Sequence, residues 1–234
     1  MSDTYRADFA PVAALLADRA RAAMLTALMD GRPLAAGELA RVAGISAQTA
    51  SSHLGKLLDG GLLAVVRQGR HRYYRLAGPE IAEVVEALMR VSPPVPVRSL
   101  RQSGEARRLR AARTCYDHLA GAVGVALCAA LLDQGLIEED GDRYAVTSKG
   151  EEVLGELGVP IADLRKGRRK FAGPCLDWTE RAPHLSGALG AALTGRMIEL
   201  GWFERGGGRR GLVLTDAGLR GLADAFGCIP APAA

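Results

Sequence analysis

Two sets of side chains in this sequence have the types and spacing to do chemistry. The first is Cys115, Asp117 and His118, which returns sixty residues later as Cys175 and Asp177, followed by His184. Thiolate sulfur and imidazole nitrogen are soft and borderline ligands, so two copies brought together could hold zinc, cadmium or another thiophilic ion. The same thiols could instead be oxidised or answer a small organic effector. Each cysteine follows a basic cluster, Arg107-Arg-Leu-Arg110 with Arg113 in one copy and Arg165-Lys-Gly-Arg-Arg-Lys170 in the other, and positive neighbours favour thiolate. The alternative is that Cys115 and Cys175 are small core residues and the repeated His-Leu a packing motif, since no Cys-x-x-Cys or similarly tight ligand spacing is present. The second set is Ser46, Gln48, Thr49, Ser51, Ser52, His53 and Lys56, polar and free of acid. Gln pairs with adenine through two hydrogen bonds, hydroxyls reach base edges or methyl groups, and Lys meets phosphate.

The elements that must position this second set are written in the periodicity. Ala50, Leu54, Leu57 and Leu58 recur at helical spacing and make one apolar stripe, which leaves Gln48, Thr49, Ser51, Ser52 and Lys56 pointing largely elsewhere. A solvated helix face normally alternates Glu and Lys; this one does not. Upstream, Glu38, Leu39, Val42 and Ala43 predict a short amphipathic helix, Gly44 ends it, and Ser46 caps the next one. Helix, tight turn, helix is a helix-turn-helix. Downstream, Gly60 and Gly61 stop the reading helix. Leu62 to Arg67 and His71 to Leu76 are extended runs joined by Gln68-Gly69-Arg70, a hairpin with Arg67, Arg70, His71 and Arg72 around its tip. From Arg41 to Arg75 there are six Lys/Arg against Asp59 alone, a local net charge of +5 suited to phosphate.

These motifs, in this order, resemble the ArsR/SmtB family of winged helix-turn-helix repressors. Arg19-Ala-Arg21 stands where that family carries an arginine before helix two, Ser51-Ser-His53-Leu54 matches its S-x-H-L, and Gly61-Leu62 opens the wing. The resemblance runs from about Phe9 to Leu76, roughly a third of the chain. It implies a homodimer on an inverted-repeat operator in double-stranded DNA, with the first and last helices of the domain paired across a two-fold axis. On that reading Ile81, Val84, Val85, Leu88 and Met89, in a helix starting at Pro79, form a dimer seam. The family's metal ligands do not carry over. They lie near the start of the helix before the recognition helix or on the last helix of the domain, and Ala35-Ala36-Gly37-Glu38-Leu39 and Ile81-Ala-Glu83-Val-Val-Glu86 hold neither Cys nor His.

At 234 residues the chain exceeds one ordinary domain. Its formal charge of +4 is mild, so where the charge sits matters more than the total. Ala7 to Asp30 reads as two helices carrying Phe9, Val12, Leu15 and Leu16, then Met24, Leu25 and Leu28, with Pro33 breaking the pattern. Ser92-Pro93-Pro94-Val95-Pro96 cannot continue a helix and marks a boundary. The expected division is a winged helix-turn-helix and dimerisation domain over 1–92 and an effector or interaction domain over 93–234. The latter contains an internal repeat, about 107–160 and 165–228, in which His118-Leu-Ala-Gly-Ala-Val-Gly-Val-Ala-Leu127 returns as His184-Leu-Ser-Gly-Ala-Leu-Gly-Ala-Ala-Leu193. Each copy reads as helix, two-stranded wing, helix, the helices spanning His118 to Leu132 and His184 to Leu193. Lacking a polar reading face, these helices are expected to pack against one another through their small residues. The predicted fold is mainly α with small β-hairpins, a winged helix-turn-helix followed by a pseudo-symmetric pair of winged-helix-like repeats. Cys128 reads as core; Cys228 gives no signal.

Other classes are set aside on composition and pattern. Met1-Ser-Asp-Thr-Tyr5 shows no signal-peptide pattern, and Ala120 to Leu132 is well short of the roughly 18 apolar residues of a membrane span, so a cytoplasmic chain with free thiols and no membrane partner is expected. A Cys-His-Asp set could attack an electrophile. His118 lies three residues from Cys115, however, whereas His184 lies nine from Cys175, which predicts that the copies do not share one dyad geometry. No phosphate-binding glycine loop or dinucleotide fingerprint is present. The sequence therefore points to a DNA-binding transcriptional regulator of repressor type rather than an enzyme. Its effector, a thiophilic metal ion, a thiol oxidant or a small inducer, would act at Cys115, Asp117, His118, Cys175, Asp177 and His184. The alternatives are a winged-helix interaction module without effector sensing and, behind it, a thiol-based enzyme.

Overall fold

The computed structural model describes residues 7–93, 99–206 and 210–230, and the chain divides into two units, Met1–Ala87 and Leu88–Ala234. Met1 to Tyr5, and Pro94 to Pro96 of the proline run, lie outside the described residues.

The first unit begins with α1 (Ala10–Leu16) and α2 (Arg19–Ala27), followed by β1 (Leu34–Ala35), α3 (Ala36–Ala43) and α4 (Ala47–Asp59). The wing strands β2 (Leu63–Gln68) and β3 (His71–Leu76) come next, and α5 (Pro79–Val91) continues past the division. Local chemistry sets the boundaries. The Asp18 carboxylate accepts from Arg21 N to start α2. Gly44, at φ 66°, closes α3, a conformation that costs glycine nothing, and the Ser46 hydroxyl accepts from Thr49 N to open α4. Ala50, Leu54 and Leu57 of α4 are buried with Met24, Leu25, Leu28 and Leu39, which fixes which face of α4 looks outward. The wing is a three-stranded sheet of order β1-β3-β2 rather than a bare hairpin, Leu34 pairing with Tyr74 and Ala35 with Tyr73. Gln68 belongs to the ladder opposite His71, so the turn is Gly69-Arg70 alone. Phe9 at the start of α1, Val12 on α1, and Val84 and Leu88 on α5 stay exposed.

The second unit opens with α6 (Leu100–Ala111), then β4 (Arg113–Cys115), β5 (His118–Ala120), α7 (Ala122–Asp133), β6 (Ile137–Asp140), β7 (Arg143–Val146) and α8 (Ser148–Glu156). After the short α9 (Ile161–Arg165) come β8 (Gly173–Leu176), β9 (Pro183–Ser186), α10 (Gly187–Glu199), β10 (Phe203–Arg205), β11 (Leu212–Leu214) and α11 (Asp216–Phe226). The order hairpin, helix, hairpin, helix thus occurs twice, down to single bonds. Thr147 and Thr215 each cap the closing helix, accepting from Gly150 N or Gly218 N at 3.0 Å and donating to Gly135 O or Gly201 O at 2.7 Å.

Two expectations for this unit are corrected. His118 and His184 lie on strands, because a glycine with positive φ, Gly121 at 81° and Gly187 at 87°, turns each chain out of its hairpin at the start of the helix. The small residues of the two helices do not serve mainly to mate helix with helix: α7 packs most extensively on β9 and α10 on β5. A Cβ on Gly124 would fall 2.7 Å from Leu119 O and one on Gly190 2.5 Å from Leu185 O, so each glycine lets its helix lie on strand backbone. The core beneath holds Leu127, Leu131, Leu189, Leu193, Phe203 and Phe226, together with Cys128 and Cys228. Burial pushes both of those thiols up to about 11. Among the described residues no helix is long and apolar enough to cross a membrane.

Candidate DNA-reading face and candidate metal centre

Gln48, Thr49, Ser51, Ser52 and Lys56 form the exposed face of α4, held from behind by the buried Ala50, Leu54 and Leu57. Ser46 is exposed too, but its hydroxyl is engaged with Thr49, 3.2 Å from its N and 2.9 Å from its Oγ1. His53 is not on this face. It follows Ala50 by three residues and precedes Leu57 by four, which turns it inward. Its side chain is 16% exposed, with Nδ1 3.3 Å from Arg21 Nη1 and 3.7 Å from Asp18 Oδ1. The expected DNA contact at His53 is therefore replaced by an anchor to α2. Arg21 completes it, donating from Nε to Leu15 O at 2.7 Å and from Nη2 to Ala14 O at 2.9 Å. On the wing, Arg67, Arg70, His71 and Arg72 are exposed, and among the described residues no carboxylate pairs with them.

The cysteines and histidines meet through two hairpins. Cys115 stands opposite His118 in the β4–β5 register, and Cys175 opposite His184 in β8–β9. Unequal spacing in the sequence predicts that the copies do not share one geometry, and the structure overturns this. The extra residues of the second copy are taken up in the loop 177–182, while Tyr116 and Asp117 suffice in the first. The two sulfurs are 4.0 Å apart and the two Nε2 atoms 3.2 Å apart. One ligand atom from each of the four residues lies within 4.8 Å of the others. Cys115, His118 and His184 are buried and Cys175 partly so. The sulfur separation is about twice the roughly 2.05 Å of a disulfide, and neither cysteine is in one.

The aspartates sit behind the histidines. Asp117 Oδ1 and Asp177 Oδ2 are each 3.4 Å from the Nδ1 of His118 and His184; the second is a charge contact rather than a well-formed hydrogen bond. Asp177 is fully enclosed. Arg113 Nη2 donates to both its oxygens at 2.9 Å, Gly121 N donates at 2.7 Å, and the N and Oγ1 of Thr179 donate at 2.8 and 2.7 Å. Burial opposes its ionisation, yet His184, Arg113 and Thr179 outweigh burial and hold the carboxyl well below the usual range. Asp117 is more open; burial raises it, and His118 and Arg169 bring it down on balance.

Several side chains of the basic clusters are engaged by carboxylates. Arg113 pairs with Asp177, Arg169 with Asp117, Arg110 with Glu180, Arg165 with Glu151 and Lys166 with Asp163. What lowers the Cys175 thiol is first the hydrogen bond from Cys115, against burial, and then His118 and His184. His184 moves the other way: burial depresses it, but Asp177 and Cys175 raise it above its ordinary value. Cys175 and His184 thus each stabilise the charged form of the other.

The first unit is a winged helix-turn-helix with a polar outward face on α4 and a basic wing, which defines a DNA-binding regulator; the second carries a Cys₂His₂ cluster. Residues 16–66 match the helix-turn-helix domain family HTH_20. The chain belongs to the family of HTH-type transcriptional regulators that includes YdfF of Bacillus subtilis (strain 168), described as uncharacterized. It is 46% identical to YdfF over 211 residues, covering 90% of this chain and 93% of that one. Solved structures similar to part of the chain include the homodimeric winged helix-turn-helix domain of Mb0332 from Mycobacterium bovis, a possible ArsR-family regulator. The identity there is 35%, over 35% of this chain and 74% of that one, with a TM-score of 0.32. The cadmium sensor CMTR from Mycobacterium tuberculosis is 30% identical over 39% of this chain and 99% of that one, with a TM-score of 0.32.

Proposed function

We propose that this regulator is a homodimeric, cytoplasmic repressor that binds an inverted repeat with α4 in the major groove and the wing on the backbone. We further propose that an effector at the Cys/His cluster, a thiophilic metal ion, a thiol oxidant or a small inducer, sets its operator affinity. The observation that carries the DNA reading is the outward face of α4: Gln48, Thr49, Ser51, Ser52 and Lys56 are all exposed, with no acid among them, beside a wing whose arginines have no carboxylate partner among the described residues. Exposed Phe9, Val12, Val84 and Leu88 supply apolar surface for a second copy. Such a regulator needs only differential affinity of its effector for two dimer shapes, and a coupling of about 1–3 kcal/mol would change operator affinity some 5- to 150-fold.

The test is selection of binding sites from random DNA by the native protein and by Gln48→Ala. The native protein should recover two inverted half-sites, and the variant should lose discrimination at one base pair by about 1–3 kcal/mol. Unchanged site preference overturns the placement of α4. Transcription in vitro from a promoter carrying the selected site should fall on adding the protein; a rise overturns repression.

A further inference from the structure

The four ligand atoms of the second unit lie within 4.8 Å of one another, and the sulfur pair and the nitrogen pair each stand at the separation that one tetrahedral ion would impose. An ion about 2.3 Å from sulfur and about 2.0 Å from imidazole nitrogen spans tetrahedral edges of about 3.8 Å between two sulfurs and about 3.3 Å between two nitrogens. The observed separations are 4.0 Å and 3.2 Å. A proton shared by the histidines would account for the second distance, but it gives the two sulfurs no reason to close on the same point.

The histidines carry the argument further. Each turns Nδ1 toward a carboxylate 3.4 Å away, and an ionised carboxylate draws the ring proton to Nδ1. With both ring protons so placed, the Nε2 lone pairs would face each other at 3.2 Å in a site where His118 is 6% and His184 1% exposed. Two lone pairs so placed repel one another unless positive charge lies between them. A carboxylate behind a histidine is also the usual outer partner of a metal-bound imidazole. Two thiolates would neutralise a divalent cation, which removes the cost of a net charge in a buried site.

We infer that Cys115, His118, Cys175 and His184 bind one divalent ion of the zinc class per chain, the histidines through Nε2, with Asp117 and Asp177 as positioning residues. Two sulfurs and two nitrogens in tetrahedral array suit zinc, cadmium or cobalt(II) and exclude magnesium and calcium, which require oxygen. Four protein ligands leave no open position, as in a structural or sensing site rather than a catalytic one. One Cys-His pair comes from β4–β5 and the other from β8–β9, so the ion ties the two copies together. The inference deepens the effector reading and rests on it only for the regulatory consequence.

The experiment is titration of the reduced, metal-stripped full-length protein with cobalt(II), followed by absorption. The expected result is saturation at one ion per chain, with the intense ligand-field bands of tetrahedral cobalt and a thiolate charge-transfer band, both bleached by zinc. Cys115→Ser with Cys175→Ser should abolish the charge-transfer band. Asp117→Asn should keep the band and weaken affinity 10- to 100-fold. The weak spectrum of octahedral cobalt, or a serine variant that binds as the native protein does, overturns the inference. If the serine variant does not fold, alkylation of the native protein mapped by mass spectrometry decides: zinc must protect Cys115 and Cys175, and equal labelling with and without zinc overturns the site. Operator binding with and without zinc separates the two readings. A tetrahedral cobalt spectrum with unchanged operator affinity keeps the ion and removes the effector role. Absence of the spectrum removes the ion and leaves operator recognition standing.

Discussion

Arg21 directs its guanidinium into the protein, onto the carbonyls of Ala14 and Leu15 and the ring of His53, so it ties α4 to the end of α1. Arg21→Ala is expected to lower stability by about 1–3 kcal/mol, the cost of leaving such partners unmet, and to weaken operator binding. The salt dependence of binding should keep its slope, because every phosphate stays neutralised as before; a shallower slope in a salt titration would place Arg21 on the backbone after all. The two aspartates behind the cluster make a second contrast. Asp177 faces Arg113 with both side chains essentially inaccessible, whereas Asp117 and Arg169 are each about 30% exposed. Asp177→Asn leaves a buried guanidinium without its counter-charge, at about 3–5 kcal/mol, while Asp117→Asn should cost about 1 kcal/mol or less in metal-free protein. Thermal melting of the metal-free variants orders them, and equal midpoints would contradict the burial argument. The sequence displayed Cys115, Asp117, His118 and their repeats, but not this inequality, because the arginines that decide it pair with carboxylates 52 to 64 residues away.

At the scale of elements, what could be read in advance was whatever carries a local period or a cap. The α4 stripe, the Gly44 turn and the Ser46 cap are such signals, and each is where the sequence put it. The two-residue β1 and the three- and four-residue strands β4, β5, β8 and β9 are too short to show alternation, and their pairing is decided by partners elsewhere in the chain. That is why His118 and His184 read as helical and why nine residues of spacing looked incompatible with three. The repeat also assigns glycines their roles. A Cβ on Gly150 would sit 1.9 Å from Leu136 O, whereas one on Gly155, in the same α8, meets nothing within 4 Å. Gly155→Ala should therefore stabilise by up to about 1 kcal/mol through helix propensity, and Gly150→Ala should destabilise the unit, as chemical denaturation would show. Replacing Arg67, Arg70 and Arg72 by Ala should weaken binding to all DNA sequences alike and flatten the salt dependence by about 0.9 for each phosphate no longer neutralised. An unaltered slope would mean the wing stays in solvent.

For the whole molecule, the proposed function makes specificity depend on two copies reading two half-sites, so the apolar surface left on α5 can be tested directly. Val84→Glu with Leu88→Glu places charge on side chains that are 43% and 44% exposed, where it should cost little within one chain and break a dimer seam. Sedimentation should then show a monomer with weakened operator binding, and a dimer unchanged in both respects would move the seam elsewhere. The Cys₂His₂ cluster has a different consequence, one of timing. Each Cys-His pair closes within its own hairpin, an event of about 1–10 μs, whereas joining the pairs brings together residues 60 to 66 apart in the chain, which carries the entropy of a long loop. During refolding the cluster therefore exists first as two separate two-ligand halves. An ion supplied at that stage can be caught by halves belonging to different chains, and one supplied after folding cannot, so the order in which metal and folding conditions are restored decides whether each chain closes its own cluster or the chains return as entangled assemblies.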